Sequence, residues 1–187
     1  MTRWRAPRVT GCLPQGAWNG LRRVPATRSA DFRVNLSGHP DGELSMALWQ
    51  SPVSAQQLDA LGRGTIHDSL GIEITDIGDD YVRGRMPVDA RTHQPYGLLH
   101  GGASVVLAES LGSIGAGLVV AGSGAKVVGL EVNANHLRAV KSGWVTGTAR
   151  ALHIGRSTQV WEIRLENDAG ELSCISRLTM AVVQKVP

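Results

Sequence analysis

Between Arg91 and Lys126 the chain carries a single charged side chain, Glu109. It lies in His100-Gly-Gly-Ala-Ser-Val-Val-Leu-Ala-Glu-Ser-Leu-Gly-Ser113, a helix-like and mostly apolar run opened by two glycines. A helix this apolar has to be covered by the rest of the fold. Glycines at 112, 115 and 117 cost helix propensity but permit close packing under a sheet. The one carboxylate is the exception in this stretch. Taking an ion out of water is expensive, so such a group is paired, protonated or put to use. The alternative is a partly exposed Glu on a helix edge.

At 187 residues the chain has length for one domain with a proper core. The pI near 9.2 has a local origin. Residues 1–45 hold seven Arg against Asp31, Asp41 and Glu43, a balance of +4 in a chain of net +3, so the remainder is −1. That remainder gives no case for nucleic-acid binding. Cys12 and Cys174 have neither CxxC spacing nor a disulfide framework, which fits free thiols in a reducing, cytoplasmic setting. No apolar run is read as reaching the roughly 20 residues needed to span a bilayer. Residues 1–45 are rich in Arg, Pro, Gly and Trp and show no period. An organelle transit peptide, a disordered basic arm, and translated sequence upstream of a true start at Met46 compete. The last is favoured, because foldable pattern begins just after Met46. The domain is therefore placed at 46–187, with 1–45 a non-native or disordered basic extension.

Ser54-Ala-Gln-Gln57 has the form of a capping box, and a short helix to about Leu61 follows, stopped by Gly62 and Gly64. Leu70–Ile77 and Tyr81–Val88 read as strands about a Gly78-Asp-Asp80 turn. After a loop from Asp89 to Leu98, the long helix spans about His100 to Val120. Strands are expected over 126–139, 143–154, 157–167 and 171–184. In the third, Trp161, Ile163 and Leu165 face one way and Glu162, Arg164 and Glu166 the other. Asn167-Asp-Ala-Gly170 signals a hairpin. Strands on both sides of one helix argue for an α+β fold with an antiparallel sheet wrapped on that helix.

Gly122-Ser-Gly-Ala-Lys126 lacks P-loop spacing and reads as a loop between helix and strand. The histidines show no metal-ligand spacing, and no GxSxG surrounds Ser110 or Ser113. At the helix start, Gly101 and Gly102 leave backbone N–H groups uncovered at a positive helix end, suited to polarising a carbonyl; a tight entry from the loop is the plain alternative. Gly101 and Glu109 are eight residues apart, roughly 12 Å along one helix. One carbonyl cannot touch both within a single chain. If both act on it, they come from two chains with antiparallel helices, as a two-fold dimer provides. Ser113 shares the face of Glu109 and either holds a water there or bonds back to the carbonyl four residues earlier. Asn133, Asn135, His136 and Arg138 form a polar stretch along one strand, and His153-Ile-Gly-Arg-Ser157 a basic turn. Each suits a phosphate or is a solvated edge.

The stretch from Met86 to Ser110, with Val128-Gly-Leu-Glu-Val-Asn-Ala-Asn-His136, Leu152-His-Ile-Gly155 and Ser176-Arg-Leu-Thr179, resembles the hotdog-fold thioesterases. The branch is that of the phenylacetate-pathway and 4-hydroxybenzoyl-CoA thioesterases, nearest to the 1,4-dihydroxy-2-naphthoyl-CoA thioesterases of menaquinone biosynthesis. The likeness covers about residues 46–184. It implies a catalytic carboxylate at Glu109 and polarisation of the thioester carbonyl by Gly101 N–H, with Gln94 and His100 near the same oxygen. Ser113 would position the hydrolytic water. CoA phosphates would meet His136, Leu137, Arg138 and Ala139 and the turn His153, Ile154, Gly155, Arg156 and Ser157, with Gly129 nearby. The acyl pocket is expected to be apolar, lined partly by the helix bearing Leu107, Leu111 and Ile114. The resemblance also implies a site at a dimer interface, dimers paired into tetramers, an acyl-CoA substrate, no metal or other cofactor, and no membrane or nucleic-acid partner. Hydrolysis of an aromatic acyl-CoA is the favoured expectation. Proofreading of aryl carrier-protein thioesters and a non-catalytic acyl-CoA-binding module are the alternatives.

Overall fold

The computed structural model describes residues 47–49 and 52–184. The basic extension over 1–45 and the start at Met46 lie outside the described residues. The elements run α1 (Ala55–Leu61), α2 (Ile66–Leu70), β1 (Glu73–Ile77), β2 (Tyr81–Pro87), α3 (Gly101–Val120), β3 (Lys126–His136), β4 (Trp144–Ile154), β5 (Thr158–Asn167) and β6 (Leu172–Val183).

All six strands join one antiparallel sheet in the order β1-β2-β4-β5-β6-β3. This is the α+β architecture that the sequence implies, one sheet wrapped on one long helix. The expected alternation holds on β5, where Trp161, Ile163 and Leu165 are fully buried against α3. Helix and sheet approach closely because glycine stands at the contact. A Cβ on Gly115 would lie 2.7 Å from the Trp161 ring, so no larger residue fits without displacing the indole. On its other face Trp161 stacks on Trp49, with ring centroids 6.5 Å apart.

The capping box is present: Ser54 Oγ accepts from Gln57 N–H at 3.3 Å, and Gln57 Oε1 accepts from Ser54 N–H at 2.9 Å. Three readings need correction. The first strand begins at Glu73, not Leu70, because Ile66–Leu70 is a separate helix. Thr65 caps that helix by accepting from His67 N–H, and left-handed Gly71 ends it. The strand expected over 126–139 stops at His136, where Leu137 and Arg138 N–H turn to the carbonyl of Ser173. Finally, α3 is long and apolar enough to cross a membrane by length and composition, contrary to the sequence reading. It instead packs into the sheet as the core helix, burying Leu107, Ala108, Leu111, Ala116 and Leu118.

Candidate active site

The N-terminus of α3 is fixed by its own cap. Gly102 N–H donates to Nδ1 of His100 at 2.8 Å. That bond answers the second helical donor and leaves Gly101 N–H free among the described residues. His100 thus caps the helix, rather than simply standing near the substrate oxygen.

Gly101 opens onto a half-open cavity of about 330 Å³ that Gln94, Ser104, His136, Leu137, Arg138 and Ala139 also line. A Cβ on Gly101 would lie 2.8 Å from His136 Nε2, so glycine keeps the imidazole close to the helix end. Gln94 arrives on the loop after β2. Its Oε1 accepts from Tyr96 N–H at 2.6 Å. A backbone N–H can only donate, so the Gln94 amide is turned with Nε2 free to donate a second hydrogen bond. The loop is tied down by Leu99 N–H to Val140 O and His100 N–H to Thr92 O, both 2.8 Å. At its start, Arg91 holds the Asp89 carboxyl down to about 2, through side-chain and then backbone hydrogen bonds. That contact is present above the ordinary carboxylate range and is lost only as pH falls through about 2.

Glu109 is not in this cavity. It stands exposed on the next turns of α3, with Oε1 3.0 Å from where a Cβ on Gly129 of β3 would lie. The ion pairs among the described residues do not include it. Ser113, one turn on, points its hydroxyl at Met180 Sδ, 3.8 Å away, and not back to its own helix. Gly129 and Met180 face each other across β3 and β6, so Glu109 and Ser113 overlie one patch of the sheet. Gly129, expected near CoA, makes room for the carboxylate. Gly129→Val should push Glu109 aside and lower kcat by about tenfold or more with little change in thermal stability, checked by steady-state kinetics beside a melting curve.

The two phosphate-binding candidates are far apart in one chain. His136 ends β3, where it pairs with Cys174. The His153–Ser157 turn lies by the strand's start, since Thr158 and Val128 both pair with Ala181. Eight residues of strand separate these ends, roughly 26 Å. Arg138 also pairs with Glu171 at 3.4 Å. Leu107 and Leu111 lie over Gly147 of β4, and Leu111 over Gly84 of β2 as well, so they face the β2–β4 side of the sheet and not the β3 edge beneath Glu109. Ile114 remains half-buried.

Comparison with known proteins decides the family. A model described as Thioesterase superfamily matches residues 96–174. The chain is 48% identical over 136 residues to the 1,4-dihydroxy-2-naphthoyl-CoA hydrolase of Escherichia coli (strain K12), covering 73% of this chain and 99% of that one. It is equally 48% identical over 136 residues to the proofreading thioesterase EntH of Cronobacter turicensis, covering 73% and 98%. The crystal structure of a mutant of thioesterase PA1618 from Pseudomonas aeruginosa superposes with a TM-score of 0.72 at 57% identity, over 73% of this chain and 99% of that chain. The chain belongs to the thioesterase superfamily.

It is a hotdog-fold thioester hydrolase acting on acyl-CoA-type thioesters, and the non-catalytic binding module is set aside. Sequence reasoning missed one buried polar residue. Gln159 is buried in the apolar stripe of β5, two residues before Trp161. A polar residue on the inward register of that strand was the signal.

Proposed function

We propose that this thioesterase hydrolyses an aromatic acyl-CoA, with 1,4-dihydroxy-2-naphthoyl-CoA of menaquinone biosynthesis as its substrate, and that its site is built from two copies of the chain. The observation that carries the chemistry is the pair formed by the free Gly101 N–H and the exposed Glu109, held at different places on one rigid helix. The Gly101 helix end, helped by Gln94 Nε2, draws charge onto the thioester oxygen. Glu109 of the other copy then either attacks the carbonyl carbon, giving a mixed anhydride and expelling CoA thiolate, or takes a proton from the attacking water. On the first route water then hydrolyses the anhydride and restores Glu109, and both routes end in the free acid and CoA. A single turnover in isotope-labelled water separates them.

The edge of the sheet supports the pairing of copies. β3 is one of the two edge strands, and Val128 and Leu130 on it are 50% and 61% exposed. Joining β3 antiparallel to its counterpart covers these side chains and the open edge. It also sets the start of one strand beside the end of the other, which brings one copy's His153–Ser157 turn toward the other's His136–Ala139 segment. The resemblance extends this to a dimer of dimers.

The likeness to the Escherichia coli hydrolase supports the naphthoyl substrate. Equal identity to the Cronobacter enzyme favours a second reading, proofreading of aryl groups on a carrier protein. Thiol release from dihydroxynaphthoyl-CoA, 4-hydroxybenzoyl-CoA, fatty acyl-CoA and an aryl carrier-protein thioester tests both. The proposal expects the naphthoyl ester to be fastest. A faster carrier-bound ester selects the second reading, and a faster fatty acyl-CoA overturns the aromatic one.

We also propose that the catalytic domain is 46–187. The two relatives are matched over nearly their whole length by 73% of this chain. A protein beginning at Met46 is expected to keep full turnover and melting temperature; loss of either measured against the full chain contradicts this.

A further inference from the structure

Within the core, one side-chain amide has an unanswered donor. Gln159 is 1% exposed and shares the helix-facing side of β5 with Trp161. Its Oε1 accepts from the Trp161 indole N–H at 3.1 Å. An indole N–H only donates, so this bond fixes how the amide is turned. Gln159 Nε2 then has no partner among the described residues. A buried donor left unpaired is costly; an apolar side chain of similar length would remove this donor but leave the Trp161 indole N–H unpaired in its place.

The place of Gln159 in the sheet indicates what answers it. Gln159 pairs with Met180 across β5 and β6, and Met180 pairs with Gly129 across β6 and β3. Residues directly opposite on antiparallel strands share a face. Gly129, Met180 and Gln159 therefore form one row beneath α3. Glu109 overlies the first of them and Ser113 touches the second. Gln159 is the third, two strand spacings or about 10 Å from Gly129. Between them stands a methionine, an unbranched side chain that repacks readily around a guest. The row runs from Glu109 inward beneath the helix.

We propose that Gln159 is a specificity-determining residue whose Nε2–H donates to an oxygen on the far side of the aryl ring. The site then favours hydroxylated aromatic acyl groups over their deoxy analogues. The inference rests on the aromatic reading of the site and adds to it the ring substituent and the residue that reads it. The donor's sense is specific: it pairs with a hydroxyl, phenolate or keto oxygen and gains nothing from a ring C–H. A site holding such a donor rejects the analogue without the oxygen more strongly than an apolar pocket rejects a change of size.

The test measures kcat and KM on 1,4-dihydroxy-2-naphthoyl-CoA and 1-hydroxy-2-naphthoyl-CoA, which differ only in the far hydroxyl. The natural chain is compared with Gln159→Met and Gln159→Asn. The natural chain is expected to favour the dihydroxy ester by about tenfold or more in kcat/KM. Gln159→Met should bring the two esters within about threefold, the larger loss falling on the dihydroxy ester. Gln159→Asn, which withdraws the N–H by one methylene, should do the same. Circular dichroism and a melting curve beside the natural chain show whether each variant is folded. An unchanged ratio in both variants, or an equal fall on both esters as a purely structural role predicts, overturns the inference. If the natural chain hydrolyses fatty acyl-CoA but neither aryl ester, the aromatic reading fails and takes this inference with it. If it turns over both aryl esters and the ratio ignores Gln159, only this inference fails.

Discussion

Replacing Glu109 by Gln should lower kcat by about a hundredfold or more, while KM and the melting temperature stay near their original values. Gln keeps the size and polarity of the side chain but can neither attack a thioester nor accept a proton from water. The fold has little stake in this carboxylate: it is exposed, it stands outside the ion pairs among the described residues, and its nearest sheet neighbour is a glycine. Loss of rate therefore reports chemistry and not unfolding. Steady-state kinetics on the best aryl-CoA checks it, and a loss of less than about tenfold would remove Glu109 from the centre of the mechanism.

Gly101→Pro should cost about a hundred- to a thousandfold in kcat, the range seen when one oxyanion donor is removed. Proline suits the backbone at this position. Gly101 is the first helical residue, where proline is well tolerated because that N–H has no partner in the helix. His100 before it is extended, with φ −71° and ψ 132°, as a residue preceding proline prefers. The substitution therefore deletes the donor and keeps the helix. Crowding against His136 is the competing cause of any loss, since a Cβ would lie 2.8 Å from its Nε2. Gly101→Ala introduces the same crowding and retains the N–H. Alanine close to the natural rate with proline slow, at matched helix content by circular dichroism, assigns the effect to the donor; equal losses assign it to crowding.

The long helix, the six strands and the hairpin at Asn167–Gly170 were readable because each carries a strong local period or turn signal. α2 was not, because five residues are too few to show a period of 3.6, and Thr65 and Gly71 look like loop residues until seen as its caps. The candidate site was readable where its chemistry is local, in a lone carboxylate and a glycine-opened helix end. What sequence could not supply was register between distant strands. Only the pairing of Gly129 with Met180, and of Met180 with Gln159, shows that Glu109, Ser113 and Gln159 overlie one row. Only the sheet order shows that the two candidate phosphate segments sit at opposite ends of β3. Leu107 and Leu111 belong to the same case: a helix apolar nearly all round is marked as covered, but the sequence does not say which strand covers which face.

The account turns on a site shared between two copies of the chain, and subunit complementation measures that directly. Glu109→Gln and Gly101→Pro chains, each nearly inactive alone, are mixed in equal amounts, unfolded and refolded together. Random pairing makes about half the dimers mixed, and each mixed dimer holds one site with both natural residues and one with neither. The account predicts return of about a quarter of the natural kcat per chain, with KM unchanged. Activity that stays at the level of the separate variants, in a mixture shown to contain mixed dimers, would place Glu109 and Gly101 in the service of one chain and contradict the shared site.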